Sequence, residues 1–278
     1  MAAGASVTTL SLVEGNENID IVKATGTREN DLEINCREGR PTADVNLRRA
    51  LSYAIDREVI AQIAGNGYAQ PLGTAFPDSV GYNSETVNGQ TYDVEKAKEY
   101  LALAGYADAD GNGYVEKGGE ELVLTISLRS NASTAVYQAM QDMWKEIGIH
   151  VEIALLENLT DIRDSGEFDF ISGGWQTVNN ADGQSYLKNR WSDGGPDNYT
   201  GYHSDAFEEV MDDLDAAFDE EARIEAFVAA QQIIADDCPA IFLYANDHIT
   251  LINNTRVSGV TVFPIDYYMI TGDWKAVE

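Results

Sequence analysis

An α/β layer structure is what this sequence predicts. Two observations carry the prediction. Short apolar runs at period two alternate along the chain with longer runs at helical spacing, and several of the helical runs open on a capping residue or close on glycine. A third observation is size: 278 residues, 44% of them hydrophobic, bury one large core or two small ones.

The elements follow in order. Leu32, Ile34 and Cys36 recur at period two and predict a strand. Asp44 caps a helix predicted to run unbroken to Gly65, with Leu47, Ala50, Leu51, Ala54, Ile55, Val59 and Ile63 on its apolar stripe. Residues 66–92, rich in Gly, Pro, Asn and Tyr, predict a long irregular segment. A second capped helix spans Asp93 to Gly105, with Val94, Ala97, Leu101 and Ala104 on one face. After an acidic glycine loop, Leu122, Leu124, Ile126 and Leu128 alternate as a strand. Val136, Ala139, Met140, Met143, Trp144 and Ile147 then mark a helix ended by Gly148, and Ile149, Val151 and Ile153 alternate again. Phe168–Ser172 is a short strand ended by Gly173, Gly174 and Trp175. Two helices near 204–217 and 219–236, a strand over Ala240–Tyr244 and a β-rich tail from Val257 to Ile270 complete the chain.

Composition narrows the function classes. There are 47 Asp and Glu against 18 Lys and Arg, a formal net charge of -29. Such a chain repels phosphate backbones, which argues against nucleic-acid binding. The acids are scattered and read as a solvated surface. No apolar run approaches the length of a membrane span, and Met1 is followed by Ala-Ala-Gly rather than by a basic then apolar leader. Cys36 and Cys238 are far apart, in neither a metal nor a redox spacing, and read as buried free thiols.

Catalytic signatures are missing: no Gly-x-Ser-x-Gly, P-loop, Gly-x-Gly-x-x-Gly after a strand, or His-Glu-x-x-His. The most specific local motif is Asp108-Ala-Asp110-Gly-Asn112-Gly-Tyr114, which matches the opening of an EF-hand-type calcium loop. The twelfth position is Gly119, so Glu120 is the nearest carboxylate to close the shell. Asp108, Asp110, Asn112, Tyr114 and Glu120 are therefore candidate calcium ligands, with a Gly- and Asp-rich turn as the alternative. Aromatics in irregular segments (Tyr68, Tyr82, Trp175, Tyr186, Trp191, Tyr199, Tyr202, Tyr267, Tyr268) line either a ligand cleft or the edges of the core.

The segment from Asp44 to Glu58, with Arg48, Ala50, Leu51, Ala54, Ile55, Asp56 and Arg57, resembles the hallmark of the family 5 extracellular solute-binding proteins. These are the oligopeptide-, dipeptide- and nickel-binding proteins of ABC importers. The resemblance continues in order through Asn35, Pro41, Leu101–Asp108, Ile147–Val151, Phe168–Phe170, Gly174-Trp175, Asn198–Tyr202 and Arg223. It implies a periplasmic-binding-protein-like (type II) lobe, a mixed β-sheet flanked by helices, in a protein about twice this length. Residues 1–28 are then the end of lobe one, 29–245 lobe two, and 246–278 a return into lobe one. The resemblance also implies export, commonly as a lipoprotein, a peptide or small-molecule ligand, an ABC importer permease as partner, a monomer, and no required cofactor.

The resemblance places the ligand contacts after Gly174. Trp175 is expected to stack on ligand, Gln176, Thr177 and Asn179 to hydrogen-bond it, Tyr202 to lie beside them, and Arg129 to meet a carboxylate. The Asp that anchors a peptide's α-amine in peptide binders falls near Val178 here, which favours the nickel-type branches or other small solutes. Two other readings remain: a hydrolase using two of the many carboxylates, and a calcium-stabilised structural domain.

Overall fold

The computed structural model describes residues 1–82, 84–178, 182–265 and 271–277. In chain order the elements are β1 (Ala2–Ala3), α1 (Val7–Leu10), β2 (Ile19–Ile34), α2 (Val45–Tyr53), α3 (Arg57–Gly65), β3 (Ala69–Pro71) and α4 (Val94–Leu103). There follow β4 (Glu116–Lys117), β5 (Glu120–Glu121), β6 (Val123–Arg129), α5 (Ala135–Glu146), β7 (His150–Leu156), α6 (Thr160–Ser165) and β8 (Phe170–Gln176). The remainder is α7 (Gln184–Trp191), α8 (Asp205–Ala216), α9 (Glu220–Asp237), β9 (Ala240–Asn253), β10 (Val257–Ser258) and β11 (Lys275–Ala276).

One mixed sheet organises the molecule. Its order is β1-β9-β2-β8-β6-β7, with β3 added on β9. The strands β6, β7 and β8 are parallel to one another, whereas β2 runs antiparallel to both β8 and β9. Helices cover both faces, as the α/β reading expects. On one face α2–α5 close a core of Leu32, Ile34, Leu51, Ile126, Trp144 and Phe170. On the other, α7–α9 close a second core around Phe76, Leu187, Trp191, Phe227 and Phe242. Two edge-to-face contacts, Phe76 with Tyr186 and Trp191 with Phe242, knit that second core.

Several sequence expectations need correction. The predicted helix from Asp44 to Gly65 is two helices. Asp44 accepts from the Asn46 N–H and caps α2; Asp56 leaves the helical region, accepts from the N–H groups of Glu58 and Val59, and caps α3. Gly65 is the last helical residue, and Asn66 takes the left-handed turn at φ 45°. The strand at Leu32 is the end of the 16-residue β2, which stops at Ile34, before Cys36. The strand at Ala240 is the start of the 14-residue β9. Gly173, Gly174 and Trp175 do not end β8, which continues through them to Gln176. Helix α7 lies where no element was predicted. In the tail, Val257–Ser258 pairs with Lys275–Ala276, and the stretch between is irregular as far as it is described; residues 266–270, with Tyr267 and Tyr268, lie outside the described residues. Both cysteines are free; Cys238 is buried and Cys36 half-buried.

Candidate functional site: the carboxyl edge of the sheet

In sheets with parallel strands, ligands bind beyond the carboxyl ends of those strands. Here that edge carries Arg129, the last residue of β6, and Gln176, the last of β8. Gln176 pairs across the sheet with Arg28 of β2. Arg129 and Arg28 are both exposed, and the Arg28 guanidinium donates to the Gly174 carbonyl at 2.5 Å.

The edge is shaped by an interruption in β2. Its pairing with β9 shifts register between Thr25 and Glu29, so residues 26–28 stand out of the ladder. Gly26 is required there: a β-carbon would lie 2.9 Å from the Asn246 carbonyl oxygen and from His248 Nε2. The Thr27 carbonyl accepts from the Thr177 N–H at 3.2 Å and from its hydroxyl at 2.7 Å. The Gln176 amide donates to the Thr27 hydroxyl and, at 3.3 Å, to the Val178 carbonyl. Beside the bulge lies a cavity of about 680 Å³ lined by Thr25, Gln70, Thr74, Ser79, Gln90 and Ala245 among others. None of these residues had a role in the sequence reading, since the segment that supplies most of them is irregular and carries no periodic signal.

Behind the edge, β2 presents an unusual face. Glu29, Asp31 and Glu33 alternate with Asn30 and Leu32, so all three carboxylates point to the α7 side, each at most 1% exposed. The Arg190 guanidinium of α7 meets Glu29 and Asp31 directly and Glu33 at 3.5 Å. Arg163 of α6 reaches Glu33 at 3.8 Å. Trp175 donates its indole N–H to Glu33 at 3.0 Å, and the Arg190 guanidinium lies 5.0 Å from the indole centroid. Three acids against one fully buried base leave a proton in demand. Burial, then the Asp31 carboxylate, pushes Glu29 well above the usual range. Burial also lifts Asp31, to about 6, with Arg190 opposing.

The structure thus brings Trp175, Gln176 and Thr177 together at the end of β8, while Asn179 lies outside the described residues. Trp175 is half-buried, and Gln176 stands at the edge. Thr177 is fully buried, and its hydroxyl is spent on Thr27. Tyr202 is not beside them as expected. It is 2% exposed in the second core, with its hydroxyl donated to Asp237 at 2.7 Å and its ring edge-on to Trp191. Tyr186 and Trp191 are likewise core residues, on α7.

In the acidic loop, Asp108, Asp110 and Glu116 bring carboxylate oxygens within 4.8 Å of one another. Glu120, expected to close the shell, instead pairs with Lys117 in the β4–β5 hairpin. The loop oxygens are engaged internally. Asp108 accepts from the N–H groups of Gly111 and Gly113, Asp110 from Asn112, Asn112 from Tyr114, and Glu116 from Ala109.

Comparison with known proteins agrees with this architecture. The family model "Bacterial extracellular solute-binding proteins, family 5 Middle" matches residues 1–198. The dipeptide-binding protein of Escherichia coli is 25% identical over 268 residues, covering 92% of this chain and 47% of that protein. The nickel-binding protein NikA of Staphylococcus aureus is 24% identical over 259 residues, covering 93% and 50%. Among solved structures, a nickel ABC transporter protein from Bacillus halodurans superposes with a TM-score of 0.83 at 24% identity, over 98% of this chain and 57% of that one. AppA from Bacillus subtilis, in complex with a nonapeptide, superposes at 0.78 and 21% identity, over 99% and 56%. The chain spans about half the length of the curated relatives it matches. By its family match, its mixed sheet and the hallmark that wires α2 and α3, the chain belongs to the family 5 bacterial extracellular solute-binding proteins.

Proposed function

We propose that this chain supplies one lobe of an extracytoplasmic substrate-binding protein. It serves an ABC importer permease and takes peptides, nickel chelates or similar small solutes. The observation that carries the reading is the polar carboxyl edge of the sheet, with Arg28, Arg129 and Gln176, on a family 5 fold. Two exposed guanidiniums in a chain of net charge -29 suit a ligand carrying carboxylate. Val178, 8% exposed, stands where the resemblance expects an Asp for a peptide α-amine, which favours a chelate or other small solute over a zwitterionic peptide.

The same reading sets the limits of the lobe near 28/29 and 245/246, and the register break of β2 and β9 between Thr25 and Glu29 supports it. A lipid anchor and a monomeric state are part of the same reading, as is a binding role without turnover. No helix among the described residues is long and apolar enough to cross a membrane. Calorimetry on the full-length protein with a nonapeptide and with Ni(II)–L-histidine tests the proposal. Binding of one class is expected, with this chain alone at least about tenfold weaker because half the contacts are absent. Equal affinity of the chain alone would contradict the half-site reading.

A further inference from the structure

We propose that Glu33 and Arg190 are positioning residues that fix the Trp175 indole in the cleft wall; as a ligand-binding device this rests on the reading of Trp175 as a ligand contact. Three buried acids on one strand face call for a reason. The same face of the neighbouring β9 carries Ala240 and Phe242, which pack into the second core. Burying three carboxylates and a guanidinium gains little stability over apolar residues of the same volume. What such a cluster supplies is geometry.

The geometry converges on one ring. Glu29 and Asp31 hold the Arg190 guanidinium from two sides, which fixes its plane. That plane lies 4.4 Å from the Trp191 centroid, within the core, and 5.0 Å from Trp175, at its margin. Glu33 then takes the Trp175 N–H at 3.0 Å. One restraint acts on the face of the indole and the other on its edge, so rotation about either side-chain torsion breaks at least one. Glu33 also draws in Arg163, which covers the Tyr199 ring at 5.1 Å, and Tyr199 lies 6.3 Å from Trp175. A half-buried tryptophan held in one rotamer loses less freedom when a ligand packs on it.

The test reads the indole directly. In ¹⁵N-labelled full-length protein, the Trp175 indole signal is assigned by its loss in Trp175→Phe. In the native protein it is expected to be sharp and slow to exchange with solvent. Glu33→Leu removes the acceptor and is expected to speed exchange at least about tenfold. Glu33→Gln keeps an acceptor oxygen at the same reach and is expected to restore it to within about threefold. Glu33→Asp, which keeps the charge but withdraws the acceptor by one methylene, is expected to behave like Glu33→Leu. It also covers the case in which the leucine variant does not fold. Unchanged exchange in whichever of these two variants folds overturns the positioning proposal. Affinity for a nonapeptide or Ni(II)–L-histidine is measured alongside, with a loss of about tenfold expected in Glu33→Leu and little in Glu33→Gln. An altered indole with unaltered affinity overturns its role in ligand binding. Failure of the native protein to bind either probe counts against the proposed function, while the indole result still decides the positioning.

Discussion

Gly173 of β8 and Asp31 of β2 are register partners, and the carboxylate of Asp31 fills the space that a β-carbon on Gly173 would need. The two positions specify each other: Asp31 meets Arg190 through space that a side chain on residue 173 would occupy. Gly173→Ala is therefore expected to destabilise the fold by roughly 1–3 kcal/mol. The double variant Gly173→Ala with Asp31→Ala should recover part of that loss. Urea denaturation of the two variants against the parent checks this, and full additivity would show that the contact is unimportant.

The same cluster sets a pH dependence. Asp31 rises from about 3.8 to about 6 on folding, chiefly through burial, with Arg190 and Arg163 opposing and Glu33 reinforcing. A raised carboxylate binds its proton more tightly in the native state, so its contribution to stability is lost as pH rises through that window. The loss amounts to roughly 3 kcal/mol at most. Asp31→Asn cannot ionise. The difference in stability between variant and parent is therefore expected to grow in the variant's favour from pH 4 to pH 7. A constant difference across that range would show that Asp31 titrates normally.

Why β2 stayed hidden in the sequence follows from these residues. Strands are read from alternating apolar positions, and at 29, 31 and 33 the inward positions hold Glu, Asp and Glu. Leu32 and Ile34 alone gave a signal, and only for the strand's end. Helix α7 escaped for the same reason, because one of its inward residues is Arg190. Conversely, Gly173 and Gly174 look like a turn, yet Gly173 is what lets β8 pass the Asp31 carboxylate. The helix break at Asp56 was written in the sequence as a second capping residue, but the apolar stripe runs through it. Arg129 was legible as a strand end, whereas Trp175 and Gln176 were singled out through the family resemblance and not as the end of β8. Tyr202 was not, since aromatic residues mark a core and a cleft wall alike.

The hallmark block is structural wiring. Arg57 donates to the carbonyls of Phe242, Ser52 and Ile55 at 2.8, 3.3 and 3.1 Å, and to the Ser52 hydroxyl and Gln90 side-chain oxygen at 2.9 and 2.8 Å. It ties the α2–α3 corner to β9. Arg57→Met leaves these acceptors buried and unpaired, and is expected to cost about 3 kcal/mol. Arg57→Lys, with its charge but no planar fork, should recover less than half. Chemical denaturation measures both, and a loss below about 1 kcal/mol for methionine would show that water replaces the guanidinium.

The acidic loop offers a contrast between internal wiring and ion binding. Both carboxylate oxygens of Asp108 are engaged by N–H groups, Gly111 at 2.8 Å and Gly113 at 3.1 Å. The bidentate position expected at Glu120 is displaced into a hairpin. If the hydrogen bonds are what Asp108 contributes, Asp108→Ala lowers stability by about 1 kcal/mol and the melting temperature by about 3 °C. The deficit should be the same in EDTA and in millimolar calcium, because hydrogen bonds within the loop do not depend on free ion. Calcium held by Asp108, Asp110 and Glu116 predicts otherwise: the native protein gains stability with added calcium, the variant does not, and the gap between them closes in EDTA. Melting curves of the two proteins under both conditions separate these outcomes.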